Sequence, residues 1–94
     1  MKKLKTSRQM EHHLKGISNH YRIEILLLIG RRAGITLEGV VSTLEANEKT
    51  IGEHTRRLYQ AGLITKKYYG KFVEHQLSPY GKNFVRFLRS LQTL

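Results

Sequence analysis

The chain has 94 residues and a formal net charge of +10, from 17 Lys and Arg against 7 Asp and Glu, with one proline and no cysteine. Without cysteine, these residues form no disulfide framework, Cys-ligated zinc site or thiol nucleophile, which excludes small secreted scaffolds and the common zinc fingers. The longest apolar run, Ile25–Ile29, is far shorter than the roughly 20 residues of a membrane span. Met1–Lys5 leads into nothing that resembles a signal peptide. We expect one soluble, cytoplasmic domain over residues 1–94 with no membrane partner.

The basic charge is unevenly distributed along the chain. Residues 33–48 carry three acidic and no basic side chains, whereas residues 49–71 carry six basic and one acidic side chain. A uniform solubilising coat of lysine would not leave an acidic stretch beside a strongly basic one. The distribution therefore favours a surface that binds a polyanion, with nucleic acid as the expected partner.

Apolar spacing predicts two helices at the start of the chain. Leu4, Met10, Leu14 and Ile17 recur at helical intervals and predict an amphipathic first helix that ends near Gly16. In the second helix, which Asn19 can cap, few positions between residues 21 and 29 are polar. Such a helix is typical of the buried centre of a domain.

Two further helices follow, each with a capping residue. Thr36 is a plausible N-cap for a short third helix and Asn47 for a fourth. In the fourth helix Ile51, Thr55 and Leu58 form one narrow apolar stripe, so most of its circumference is polar and basic. The inward residues of the third helix are expected to be Leu37, Val40, Val41 and Leu44.

A hairpin and a last helix complete the predicted order. Leu63–Tyr68 and Phe72–Leu77 are rich in strand-forming residues and flank a turn in which Gly70 supplies a positive φ. Ser78 and Pro79 then start the last helix, since proline is well tolerated in a first turn. The predicted fold class is α+β, mainly α, in the order α-α-α-α-β-β-α. Two helices joined by a tight turn, followed by a basic hairpin, are typical of a winged helix-turn-helix.

Several segments resemble ArsR-type transcriptional regulators over about residues 14–91. Ile17–Leu26 resembles the conserved opening of that family, where a small polar pair precedes an Arg and an aliphatic helix. Thr50–Ile51 and Leu58–Ile64 resemble the end of its recognition helix. Gly70–Val73 and Leu77–Gly81 resemble its wing and the entry to its last helix. MarR-type regulators share the Arg-Arg-Leu and Gly-Leu-Ile phrases within residues 56–64, so the two families remain alternatives.

The chain departs from the ArsR pattern in two ways. The metal-sensing members carry cysteine on the third helix, where this chain has Thr36–Val40, and the last helix here lacks the Asp and His ligands of other members. The resemblance therefore implies a regulator without a Cys metal site, and no cofactor is expected. Thr55 and Arg57 stand where these families often have aliphatic residues, which leaves the rotation of the fourth helix open.

The DNA-binding residues are expected on the fourth helix and the wing. Outward residues of the fourth helix would meet base edges and phosphates if it enters the major groove. The missing side chain of Gly52 either permits close approach of the backbone to DNA or reflects neutral drift, and both interpretations stay open. The lysines are placed at the tip of the wing, where they would contact the DNA backbone. The candidates are Lys49, Thr50, Gly52, Glu53, Arg56, Arg57, Lys66, Lys67 and Lys71.

Neither metal nor catalytic chemistry is indicated. His12 and His13 are adjacent and point to different faces of a helix, whereas a zinc site needs converging ligands. No Gly-rich phosphate loop and no Ser/His/Asp grouping is present. We therefore expect no catalytic residue, no metal and no enzyme activity.

The terminal helices carry more apolar residues than one small core needs, so a second copy is expected to bury part of them. The resemblance implies the same pairing and two half-sites on DNA. The sequence thus predicts a homodimeric transcriptional regulator that binds double-stranded DNA sequence-specifically. The alternative is a winged helix that binds protein or RNA. The predicted dimer interface is Leu4, Met10, Leu14, Phe84, Phe87, Leu88 and Leu91.

Overall fold

The computed structural model describes residues 3–94, so Met1 and Lys2 of the predicted domain lie outside the described residues. Helices dominate the structure, and the last two strands form a hairpin. The elements are α1 (Ser7–Ile17), α2 (His20–Arg31), β1 (Ile35–Thr36), α3 (Leu37–Leu44), α4 (Glu48–Gln60), β2 (Ile64–Tyr69), β3 (Phe72–Leu77) and α5 (Pro79–Gln92).

The predicted caps are confirmed. The Asn19 carboxamide oxygen accepts hydrogen bonds from two backbone N–H groups of α2, and Asn47 does the same for α4. Thr36 caps α3, and Ser78 caps α5 with Pro79 in its first turn. These bonds satisfy donors that a helix start otherwise leaves unpaired. The sequence analysis missed one further cap, a reciprocal capping box between Thr6 and Gln9 at the start of α1.

The predicted element order was wrong in one respect, because it omitted β1. The sheet has three antiparallel strands in the order β1-β3-β2. Ile35 and Thr36 pair with His75 and Glu74, and the Gly34 N–H donates to the His75 carbonyl at 2.8 Å. A strand of two residues is too short to show alternation of apolar and polar side chains, and β1 pairs with a strand about 40 residues away in the sequence. Local pattern therefore could not predict it. The hairpin is confirmed, with Gly70 at φ 57°.

The core surrounds α2, as its pattern predicts. Every residue of Ile25–Ile29 is at most 8% exposed. Buried aliphatic side chains from the other helices and from β2 pack around this run, including Val40, Ile51, Leu58 and Val85. A helix buried around most of its circumference fixes the directions of its neighbours. It therefore determines which faces of α4 and α5 remain exposed.

The start of α5 packs tightly against the segment that joins α4 to β2. The Ser78 hydroxyl donates to the Gly62 carbonyl at 2.6 Å, and the Ser78 N–H donates to the Leu63 carbonyl at 3.1 Å. Gly81 lies so close to the Leu63 carbonyl oxygen that a Cβ atom would collide with backbone. The absence of a side chain at Gly81 therefore lets α5 dock here.

His75 connects the base of the hairpin to β1. Its side chain is 2% exposed, and its Nδ1 lies 3.0 Å from the Ile35 carbonyl. Burial lowers the pKa of His75, and the nearby Lys66 charge adds to this, against the raising effects of the Ile35 hydrogen bond and Glu38. The ring is therefore neutral in the folded protein near neutral pH.

Gly81→Ala should destabilise the protein by about 1–3 kcal/mol, because the new methyl group meets backbone that cannot easily move. Gly52→Ala is the matched control, since its Cβ position within α4 meets no atom of the described residues within 4 Å outside the helix's own neighbouring backbone. We expect it to stabilise the protein by about 0.5–1 kcal/mol. Urea unfolding measures both, and equal midpoints for the two variants would contradict the close approach at Gly81.

The stability should fall as the pH drops below the ordinary histidine value of 6.5, because the unfolded chain then binds a proton that folded His75 resists. The slope should be at most ~1.4 kcal/mol per pH unit for this residue. Urea midpoints at about pH 7.5 and about pH 5.5 measure the effect. His75→Asn, which keeps a donor for Ile35, should reduce this pH dependence relative to the wild-type protein. Equal pH dependence in the wild type and this variant would refute the assignment.

Candidate nucleic-acid interface

α3 and α4 form a helix-turn-helix with a three-residue turn, Glu45–Asn47. Glu45 adopts a left-handed conformation at φ 50°, and the Ala46 N–H donates to the Val41 carbonyl at 3.2 Å. Asn47 then starts α4 with hydrogen bonds to the N–H groups of Lys49 and Thr50. The turn and the cap together fix the direction of α4.

The predicted inward stripe of α4 is confirmed. Ile51, Thr55 and Leu58 are each at most 2% exposed. Thr55 is tolerated in the core because its hydroxyl donates to the Gly52 carbonyl at 3.0 Å, so no polar group is left unpaired. The rotation of α4, which the sequence left open, is therefore fixed by an apolar stripe with one internally satisfied threonine.

Three of the predicted contact residues on α4 project away from the core. Lys49, Glu53 and Arg56 are exposed. They lie on the side of the helix opposite the buried stripe, as their 100° helical spacing requires. Thr50 is half-buried, and Arg57 is exposed but lines a cleft toward α1 and α2. The outward face of α4 therefore contains fewer residues than the sequence predicted.

A groove separates α4 from the wing, the β2–β3 hairpin. Gly52, Lys66, Tyr68 and Lys71 line it, and its volume is about 240 Å³. The Lys66 ammonium lies 5.1 Å from the centre of the Tyr59 ring, which joins the wing to α4 by a cation–π contact. Among residues 3–94, no atom outside α4's own neighbouring backbone lies within 4 Å of the position of a Cβ on Gly52. Packing within the chain therefore gives no reason for this glycine.

The predicted position of two wing lysines was wrong. Lys66 and Lys67 lie midway along β2, paired with His75 and Glu74, and only Lys71 follows the turn glycine. Because strand side chains alternate, Lys66 faces the groove beside α4, whereas Lys67 lies on the other face, 5.2 Å from the Tyr69 ring centre. The predicted strand Leu63–Tyr68 already contained both lysines, so the error lay in assigning its middle positions to the tip of the wing.

Within the described residues no ion pair joins the cations of this surface to a carboxylate, although Glu38 lines the groove and Glu74 lies opposite Lys67. The one ion pair among residues 3–94 joins Lys15 to Glu11 at 3.5 Å, on α1. The six cations of residues 49–71 therefore have no carboxylate partner in the described part of the chain. Unpaired cations that flank a groove raise the local concentration of anions.

The predicted dimer interface is only partly exposed. Met10, Leu14, Phe87 and Leu91 are each about half exposed, and Leu4 is 91% exposed. Leu88 instead lies in the core at 8% exposure, and Phe84 is half-buried against it. These two side chains are used within the protomer, because α5 turns its Val85 and Leu88 side toward α2.

The described residues offer neither a metal cluster nor a membrane span. Within residues 3–94 no three His, Asp or Glu side chains lie close enough together to hold a metal ion. Over the same residues, every helix is too short or too polar to cross a bilayer.

Sequence reasoning missed two residues that shape this surface, Tyr59 and Arg22. Tyr59 positions Lys66 from another element, and Arg22 lines the cleft beside Arg57. Both act through contacts distant in sequence, for which local pattern carries no signal.

Comparison with protein-family models finds no match, and comparison with curated proteins finds none either. Solved structures do match. HlyU from Vibrio cholerae is 22% identical, with a TM-score of 0.85 over 98% of this chain and 100% of HlyU. Mb0332 from Mycobacterium bovis, a homodimeric winged helix-turn-helix DNA-binding domain, is 15% identical, with a TM-score of 0.82 over 99% of this chain and 91% of its own.

A third match is FabT from Streptococcus pneumoniae, solved in complex with DNA. It is 17% identical, with a TM-score of 0.72, and the match covers 77% of this chain but 52% of FabT. These likenesses extend over most of the chain at low identity. They show that this chain has the predicted winged helix-turn-helix fold.

Proposed function

We propose that this protein is a transcriptional regulator of the ArsR-like class that binds double-stranded DNA sequence-specifically and has no Cys metal site. In this proposal residues 1–94 form one DNA-binding domain, which acts in the cytoplasm without catalysing a reaction. The likeness to the DNA-binding domain of Mb0332 and to FabT bound to DNA supports it.

One observation carries the proposal: the exposed face of α4, opposite its buried stripe, and the neighbouring wing both present cations that form no ion pair within the described residues. Lys49 and Arg56 project from α4, and Lys66 and Lys71 line the groove beside it. A helix of this kind fits the major groove, and a wing beside it reaches the adjacent backbone. An acidic protein partner would not require a helix-turn-helix geometry.

The side chains suggest different roles in DNA binding. Arg56 has a planar fork that pairs with the two acceptors of guanine, whereas lysines act as point charges toward phosphates. Glu53 can accept from a cytosine amine, and Gly52 leaves room for close approach by the backbone. Base reading is therefore assigned to α4, and Lys66, Lys67 and Lys71 are assigned to phosphate contacts.

We further propose that the protein is a homodimer that pairs through α1 and α5. Exposed Met10, Leu14, Phe87 and Leu91 are large apolar side chains that one small core leaves unburied. Burying them against a second copy is favourable at ~25 cal/mol per Å². The homodimeric state of Mb0332 supports this assignment.

Arg56→Ala should weaken binding to a duplex selected from genomic fragments by roughly 1–3 kcal/mol and flatten discrimination at one base position. The measurement is a gel-shift titration on selected and scrambled duplexes, with and without competitor RNA. Arg89→Ala, the same charge loss on the far side of α5, is the control and should leave affinity nearly unchanged. Stronger competition by RNA than by duplex DNA would favour the RNA-binding alternative, and unchanged affinity for Arg56→Ala would remove α4 from the interface.

Phe87→Glu should convert the dimer to a folded monomer, because it places a charge in the proposed apolar interface. Sedimentation of both proteins at tens of micromolar measures the oligomeric state, and circular dichroism checks folding. Lys82→Glu, on an exposed polar position of the same helix, should remain dimeric. A monomeric wild-type protein would contradict the proposal.

A further inference from the structure

A second cationic cluster lies where α1, α2 and α4 meet, outside the groove beside the wing. It surrounds a cleft of about 180 Å³ whose polar lining includes His12, Lys15, Arg22 and Arg57. At ~30 Å³ per water, this volume equals roughly six water molecules and accommodates a phosphate group. Among the described residues that line the cleft, none is acidic.

The floor of the cleft is held in place by direct contacts between α1 and α4. Gly16 packs so closely on Ala61 that a Cβ atom on Gly16 would collide with the Ala61 methyl group. His12 Nε2 lies 3.3 Å from the Gln60 carbonyl, and His13 Nδ1 lies 2.6 Å from the Ala61 carbonyl. These contacts hold α1 and α4 at a fixed separation, so the cleft between them is formed by the packing of the fold itself.

Arg22 is incompletely hydrogen-bonded within the chain. One terminal nitrogen lies 3.3 Å from His54 Nδ1, and the other donates to the Lys15 carbonyl at 3.4 Å, which is a long contact. Its Nε is buried and has no hydrogen-bond partner among the described residues. A buried donor without an acceptor costs free energy, so the Arg22 side chain is not fully satisfied by contacts among the described residues.

The charges around the cleft repel one another. Burial lowers the pKa of Arg22, and the Arg57 charge adds to the effect. Burial also lowers the pKa of His54, followed by the charges of Arg22 and Arg57. Lys15 is the exception, because it pairs with Glu11 at 3.5 Å on the exposed rim. Two guanidinium groups without a carboxylate therefore share one cleft.

We propose that this cleft binds a phosphate group between Arg22 and Arg57. Guanidinium forks match phosphate oxygens geometrically, and charge-assisted hydrogen bonds to an ionised acceptor are about twice as strong as neutral ones. The phosphate has two sources: the backbone of DNA bound by α4, or a small phosphorylated molecule. The first source rests on the proposed function, and the second does not.

The free-ligand arm uses inorganic phosphate alone. In ¹H–¹⁵N spectra of the full chain, phosphate should shift the signals of the Gly16 and Ala61 amides and of Arg22 Nε saturably, whereas chloride at equal ionic strength should not. Arg57→Gln, at an exposed position of α4, should weaken this binding at least ~10-fold, the effect of losing one charge-assisted contact. The matched control Arg89→Gln should bind as the wild type does.

The DNA arm measures affinity against salt concentration. If the cleft holds a backbone phosphate, both Arg57→Gln and Arg22→Gln should lower the magnitude of the log K against log salt slope by about one. If Arg22→Gln fails to fold, the phosphate titration of the wild type and Arg57→Gln decides the cleft by itself. Arg89→Gln should leave the slope unchanged.

The combined outcomes decide the proposal. A fall in slope shared by both variants supports a backbone phosphate, and saturable phosphate shifts with unchanged slopes support a small phosphorylated ligand. A fall for Arg57→Gln alone, without phosphate shifts, assigns Arg57 to contacts of α4 itself and overturns the cleft as a site. Absence of both effects also overturns it. A wild-type protein that binds no DNA refutes the proposed function, and the phosphate titration then decides the cleft by itself.

Discussion

The packing of α4 against α2 is the constraint on which the rest of this surface depends. Ile51, Thr55 and Leu58 insert into the aliphatic surface of α2, and this contact leaves α4 one rotation about its own axis. A rotation of half a turn would bury Arg56 without a partner and expose the apolar stripe, at a large cost in free energy. The direction of every cation on α4 therefore follows from apolar packing, and no ion pair is needed to set it.

The sequence predicted what local chemistry controls. Asn19, Thr36, Asn47 and Ser78 begin helices because their side-chain oxygens satisfy orphan N–H groups, and this requirement is visible within four residues of sequence. The inward stripe of α4 was predictable for the same reason, since it repeats with the helical period. The winged helix-turn-helix fold could then be predicted from the order of these helices and the hairpin along the chain.

Features that depend on distant contacts were not predictable from local pattern. β1 is a strand only because β3 lies beside it, and the contact between Lys66 and Tyr59 joins two elements that are separate in the sequence. Leu88 and Phe87 are neighbours with the same apolar character, yet one is buried in the core and the other is exposed. Choosing between them required the position of α5 on α2, which Gly81 and the Leu63 carbonyl determine.

The close approach of Gly16 to Ala61 has a mechanical consequence for the proposed dimer. α1 would carry part of the subunit contact on one side and touches the last turn of α4 on the other, through His12 and His13 as well as through this small-residue contact. Because this contact is direct, a rotation of one subunit relative to its partner in the proposed dimer would move the two α4 helices by a similar angle. In the proposed DNA complex, the α1–α4 contact would therefore set the distance between the two α4 helices, and a ligand that shifted α1 would change the affinity for DNA.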